Sequence, residues 1–190
     1  LFIDSKSAVD STVAEVVRRY PIHSTNVIAH IRKATQGEIA LENCHPFIRE
    51  LWGRYWVFAH NGNLENFNPE SARLYQPVGK TDSEKAFCLI LEKLRESFPQ
   101  NKPALTELYA VLNEITKTLA EYGIFNYLLS DGEHLFVHCS TNLHYIVRQA
   151  PFASAHSIDE DVTVDFRELT KEGDRVAVSG RARPLSKTST

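Results

Sequence analysis

Four residues from three separate places in the chain, Arg32, Asn61-Gly62 and Asp82, have the types needed to hold a free amino acid beside a carbonyl under attack. A guanidinium offers a rigid fork for a carboxylate. A carboxylate such as Asp82 accepts hydrogen bonds from an ammonium. One ligand carrying both groups is an amino acid. The Asn61 side-chain NH2 and the Gly62 N–H, with no side chain in the way, have the composition of an oxyanion hole. An amino-acid site beside an oxyanion hole suggests acyl transfer from a side-chain amide. Each residue also has an ordinary use: a surface ion pair for Arg32, a turn for Asn61-Gly62, a helix N-terminal charge for Asp82. Singly, the ordinary use is favoured; the combination points to chemistry.

Other candidates carry less. Gly79-Lys80-Thr81 resembles the end of a phosphate-binding loop, but that pattern needs a glycine at position 74, where Leu74 stands. The eight histidines are scattered, without His-x-x-x-His spacing, so no metal is expected. No cofactor is expected either. The three cysteines, Cys44, Cys88 and Cys139, include no Cys-x-x-Cys pair, which argues against a disulfide framework and suits a reducing compartment. Cys44 sits within the Asn43-x-His45-Pro46 cluster and is expected near the pocket; Cys88 on a helix and Cys139 in a strand read as packing.

The elements that must position these residues read as follows. Thr12-x-x-Glu15 fits a capping box opening a helix over 11–20, with Val13, Val16, Val17 and Tyr20 as its apolar stripe. Residues 26–31 and 55–59 read as buried strands, separated by a long polar segment with little period at 32–54. A second helix starts near Thr81, with a Thr81-x-x-Glu84 box and an apolar face of Ala86, Phe87, Ile90, Leu91 and Leu94. A third spans about 104–122, with Gly123 at its C′ position. Strands follow at 125–130, 134–140, 143–148, 162–166 and 175–182, the first two joined through Asp131-Gly132. Strands, then helices, then a meander imply an α+β fold with mostly antiparallel sheet.

The chain has 190 residues, 43% apolar and 24% charged, with net charge −3. That fits one packed domain over 1–190 and excludes disorder and a polybasic nucleic-acid binder. No apolar run is long enough to span a bilayer. The expectation is a cytoplasmic protein with neither nucleic acid nor membrane as partner. There is no methionine, so the chain is expected to begin downstream of its initiator.

The ordered motifs resemble the class II glutamine amidotransferases, which are N-terminal nucleophile hydrolases, most closely their YafJ-like branch. The resemblance rests on His30-Ile31-Arg32-x-Ala34-x-x-Gly37, Glu42-Asn43-x-His45-Pro46-Phe47, Ala59-His60-Asn61-Gly62 and Thr81-Asp82-Ser83-Glu84-Lys85-Ala86-Phe87. Phe125-Asn126-x-Leu128-Leu129-Ser130-Asp131-Gly132 and Cys139-Ser140-Thr141-Asn142-Leu143 extend it over most of the chain. It implies a four-layer αββα sandwich of two antiparallel sheets flanked by helices. It implies Arg32, helped by Thr35, on the α-carboxylate of glutamine, Asp82 on the α-ammonium, His45 shaping the pocket, and Asn61 with Gly62 as the oxyanion hole. Lys33 departs from a position often aromatic in the family.

The nucleophile implied is an N-terminal cysteine whose own amine is the base. Residue 1 is Leu, so the resemblance places that segment upstream of Leu1 and makes this fragment itself inactive. The expected activity of the intact protein is hydrolysis of the γ-amide of glutamine or a γ-glutamyl compound, as a glutaminase or transferase. Homo-oligomers or a partner subunit fit the family. The alternative is a glutamine- or γ-glutamyl-binding module without catalysis.

Overall fold

The computed structural model describes residues 1–20, 22, 24, 26–31, 39–69, 74–148, 154–156, 163–165 and 175–180. They fall into two compact units, Leu1–Thr141 and Asn142–Thr190. The first contains helix α1 (Thr12–Arg19), a 3-10 turn (Leu41–Asn43), strands β1 (Phe47–Leu51) and β2 (Arg54–Leu64), helices α2 (Asp82–Ser97) and α3 (Leu105–Ala120), then β3 (Gly123–Ser130) and β4 (Leu135–His138). Its strands form one antiparallel sheet in the order β1-β2-β3-β4. In the second unit β5 (Leu143–Arg148) pairs with β8 (Arg175–Gly180), and β6 (Ser154–His156) with β7 (Thr163–Asp165), all antiparallel. The fold is α+β, with antiparallel sheet and helices, as the element order implies.

The pleat explains the core. Alternate residues of a strand face one side, so Trp56, Phe58 and His60 of β2 lie beside Phe125, Tyr127 and Leu129 of β3. All six are buried, together with Phe87, Ile90, Leu91 and Leu94 of α2 and Leu108, Leu112 and Leu119 of α3. Phe58 stacks on Phe87 at 5.2 Å between ring centroids. The apolar face expected of the second helix is therefore the one it buries. Asn61 and Asn126, paired in register, lie on the opposite side of the sheet.

Several expectations need correction. The stretch 26–31 joins no ladder among the described residues. Asn26, Ile28 and His30 are half-buried, whereas Val27 is 70% and Ile31 83% exposed. Its inner side is fixed by side chains instead, with Asn26 Nδ2 donating to Ser130 Oγ at 2.7 Å. The polar segment 32–54 is not all loop, because its last part forms β1. The hairpin was hidden by its turn: Trp52 and Gly53 both have positive φ (58° and 72°), the requirement of a two-residue primed turn, and Trp is a rare occupant of that conformation. The Trp52 indole N–H donates to the Phe98 carbonyl at 3.0 Å, which holds it there.

Ser11, not Thr12, caps α1, accepting the Ala14 N–H at 3.0 Å. The α1 stripe is largely exposed, and no residue of that helix is buried. The α2 box is half formed: Thr81 Oγ1 accepts the Glu84 N–H, but the Glu84 carboxylate is used elsewhere. Gly123 opens β3 rather than serving as C′, since the helix cap is Glu121. Its φ of +147° and the 2.3 Å from a hypothetical Cβ to Asn63 O both require glycine. Cys139 lies just past β4 and is exposed, so it is not packing; Cys88 is buried as expected.

Candidate functional site

Among the described residues, the second half of β2 pairs with a strand on one side only. A two-residue hairpin closes on a hydrogen-bonded pair, here Leu51 with Arg54. The even-numbered residues of β2 therefore direct their N–H and C=O groups toward β1, and the odd-numbered ones toward β3. The Glu65 N–H bonded to Tyr122 O at 2.7 Å follows the same parity. Pairing with β1 ends at Phe58. Beyond it, His60 and Gly62 offer their backbone groups past the end of the neighbouring strand. The His60 carbonyl lies 3.2 Å from His30 Nε2 on that side, and parity turns the Gly62 N–H the same way. Asn61-Gly62 is thus strand, not the turn that the dipeptide suggests. Asn61 Oδ1 is buried and accepts no hydrogen bond from a described residue. A buried polar atom without a partner is uncommon away from functional sites.

Glycine at 62 is dictated by packing. A Cβ there would lie 1.8 Å from Ile124 O and 2.7 Å from His60 Nε2. The space it leaves lets the His60 ring reach Ile124 O at 3.0 Å, while Nδ1 meets Ser83 Oγ at 2.8 Å. His60 is 2% exposed. Burial pushes its pKa below the ordinary 6.5, against the opposing pull of the Ile124 carbonyl and the Asp82 charge. The imidazole is therefore neutral at pH 7.

The other motifs converge on this strand end. Asp82 opens α2, and its Oδ2 accepts the Leu64 N–H at 2.8 Å. Asn43 Oδ1 accepts the Lys80 N–H at 3.1 Å, and a Cβ on Gly79 would lie 2.4 Å from that oxygen. The Gly79-Lys80-Thr81 loop docks the 42–47 cluster rather than a phosphate. Glu84, 1% exposed, accepts the Val78 and Gly79 N–H groups at 3.0 and 2.7 Å and pairs with Arg49. His45 stacks on His30 (4.2 Å between centroids) and meets Phe47 edge-on (4.6 Å). Cys44 Sγ lies 3.4 Å from Ala40 O and 3.5 Å from Asp4 O.

Of the residues expected at the site, Asn61, Gly62, His45 and Asp82 are linked to this region through His30, His60, Ser83 and Leu64. Arg32 and Thr35 lie outside the described residues. Sequence reasoning gave no role to Asn126, His60 or Ser83. Asn126, 1% exposed, donates to Asn61 O at 3.1 Å and Thr141 Oγ1 at 2.9 Å, and accepts the Ser140 and Thr141 N–H groups. It ties the strand carrying Asn61 to Ser140 and Thr141. A lone amide inside the apolar run Ile124–Leu129 was its visible mark.

At the other end of the sheet Asp131, Glu133 and His134 lie close enough to hold a cation. Lys102 already pairs with both carboxylates, so these residues form an ion-pair cluster. Among the described residues no helix is long and apolar enough to cross a membrane.

The family model for class II glutamine amidotransferases matches residues 1–189. A Haemophilus influenzae protein, provisionally named a glutamine amidotransferase, is 51% identical over 94% of this chain and 60% of its own length. The Escherichia coli protein YafJ, provisionally named likewise, is 44% identical over 100% of this chain and 74% of its own length. The chain thus spans about three fifths to three quarters of these relatives. A 2.0 Å crystal structure of a predicted glutamine amidotransferase from Pseudomonas aeruginosa superposes with a TM-score of 0.65 at 47% identity, covering 77% of this chain and 58% of that one. The chain belongs to the class II glutamine amidotransferases.

Proposed function

We propose that this chain supplies the glutamine pocket and oxyanion hole of an enzyme that hydrolyses the γ-amide of glutamine or of a γ-glutamyl compound. The observation that carries this reading is the end of β2 beyond Phe58, which pairs with no strand on the β1 side among the described residues: the Gly62 N–H is turned to that side, next to the Asn61 side chain, whose amide NH2 is the second donor. Asp82 accepts the α-ammonium through Oδ1, its Oδ2 being committed to Leu64 N–H. Arg32, aided by Thr35, binds the α-carboxylate, and His45 walls the pocket.

The nucleophile is the thiol of an N-terminal cysteine outside these 190 residues, with its own amine as base. The thiolate attacks the γ-carbonyl and the carbonyl oxygen takes negative charge between Asn61 and Gly62. Collapse of that intermediate releases ammonia or an amine and leaves a γ-glutamyl thioester, which water cleaves to glutamate. Donors placed in advance at the developing oxyanion supply the main stabilisation.

Treating the full-length protein with an electrophilic glutamine analogue tests this reading. One covalent adduct on the N-terminal cysteine, prevented by excess glutamine, is expected. Labelling elsewhere, or none, overturns it.

A further inference from the structure

His60 and Ser83 form a hydrogen-bond chain whose direction follows from proton counting. The Ile124 carbonyl can only accept, so His60 Nε2 carries a hydrogen. A neutral imidazole then has Nδ1 as acceptor, and the single Ser83 hydroxyl hydrogen, 2.8 Å away, is committed to it. Asp82 Oδ1 lies 3.4 Å from the same Ser83 oxygen and receives no hydrogen from it in this arrangement. With Oδ2 accepting the Leu64 N–H, Oδ1 stays open among the described residues. Phe58 and Phe125 pack against the ring and its burial keeps it neutral, against the Asp82 charge, which favours the protonated form; His30 meets the His60 backbone carbonyl rather than the ring.

We propose that His60 is a positioning residue that draws the Ser83 hydroxyl away from Asp82 and so keeps Asp82 Oδ1 available to a substrate ammonium. Neither His60 nor Ser83 touches the ligand. The inference rests on the reading of Asp82 as the ammonium acceptor. Without the imidazole acceptor, the Ser83 hydroxyl turns to Asp82 Oδ1 and competes with the ammonium.

The test uses the full-length protein, with glutamine and its analogue lacking the α-amino group as substrates. His60→Phe, which keeps an aromatic ring between Phe58 and Phe125, is expected to raise KM for glutamine about tenfold, the scale of one hydrogen bond to a charged group. The KM for the desamino analogue should not share that rise. Adding Ser83→Ala to His60→Phe should restore the glutamine KM, because no hydroxyl remains to cap Asp82; a purely structural role predicts no recovery. A double variant no better than His60→Phe overturns the proposal. Asp82→Asn separates the two levels. If it leaves the glutamine KM unchanged, the ammonium site itself is wrong; if it raises KM while His60→Phe does not, only the relay fails. Nitrogen NMR of the unmodified protein at pH 7 gives a reading that needs no variant. A hydrogen on His60 Nε2 is expected, and a hydrogen on Nδ1 alone overturns the relay.

Discussion

The two halves of β2 follow different rules. From Arg54 to Phe58 the strand is paired on both sides and sends Trp56 and Phe58 into the core. From Ala59 to Leu64 it has only β3 as a partner among the described residues, and the inward positions become His60 and Gly62. The first half is held by apolar burial, which is non-directional and tolerant. The second is held by directed bonds from His60, Ser83, Asp82 and Asn126. Strand continuity carries the rigidity of the first half into the second, where the proposed oxyanion donors sit.

Two glycines sharpen the contrast. Gly62→Ala would drive a Cβ into backbone, 1.8 Å from Ile124 O, with nothing able to yield. A loss above about 4 kcal/mol is expected, seen as a collapsed urea midpoint or insoluble protein. Gly53, in the turn that starts the first half, has φ +72° and nothing within 4 Å of a Cβ. Gly53→Ala should cost only about 1–2 kcal/mol of backbone strain in the same assay.

Phe58→Ala empties a fully buried site against Phe87 and Phe125. Its expected cost is about 3–5 kcal/mol by chemical denaturation. Asn126→Ala strands the Ser140 and Thr141 N–H groups and should cost about 1–3 kcal/mol. Unlike Phe58→Ala, it should also lower kcat in the folded protein, because it frees the Asn61 carbonyl.

Acid titration separates the two ends of the sheet. His60 binds its proton more weakly folded than unfolded. The unfolded chain therefore takes up that proton first as pH falls through about 6.5, and stability declines below that point by up to about 1.4 kcal/mol per pH unit. His60→Phe should flatten this slope between pH 7 and 5.5. Asp131 behaves oppositely: burial pushes its carboxyl up, but Lys102 and the His134 and Glu133 N–H groups outweigh it and hold it at about 2. Its contribution persists above the ordinary 3.8 and disappears as pH falls toward 2, and Lys102→Ala should shrink that acid step, the His134 and Glu133 N–H groups keeping the rest.

The site and the fold were legible to different depths. The apolar face of α2 follows from helical period, and Ala86, Phe87, Ile90, Leu91 and Leu94 are all buried. Residue chemistry points to Asn61, Gly62 and Asp82, and the fold brings them to one end of β2 and the start of α2. The β1 hairpin was missed because a Trp occupies a left-handed turn position, where the Asn-Gly or Asp-Gly signature is absent. Asn61-Gly62 carries that signature and is strand, because the close approach of Ile124 O, not a turn, requires its glycine. The capping pattern at Thr81 predicted the helix start, but not that Glu84 would be drawn to Arg49 and the 78–79 backbone. Long-range partners of that kind leave no local pattern.

The most direct test of the oxyanion assignment is steady-state ammonia release from glutamine by the full-length protein and its Asn61→Ala variant. Loss of one donor should lower kcat about 10²–10³-fold with KM nearly unchanged. An Asn61→Ala enzyme that keeps the unmodified kcat would contradict the assignment of the end of β2 beyond Phe58 as the place where the reacting carbonyl oxygen is held.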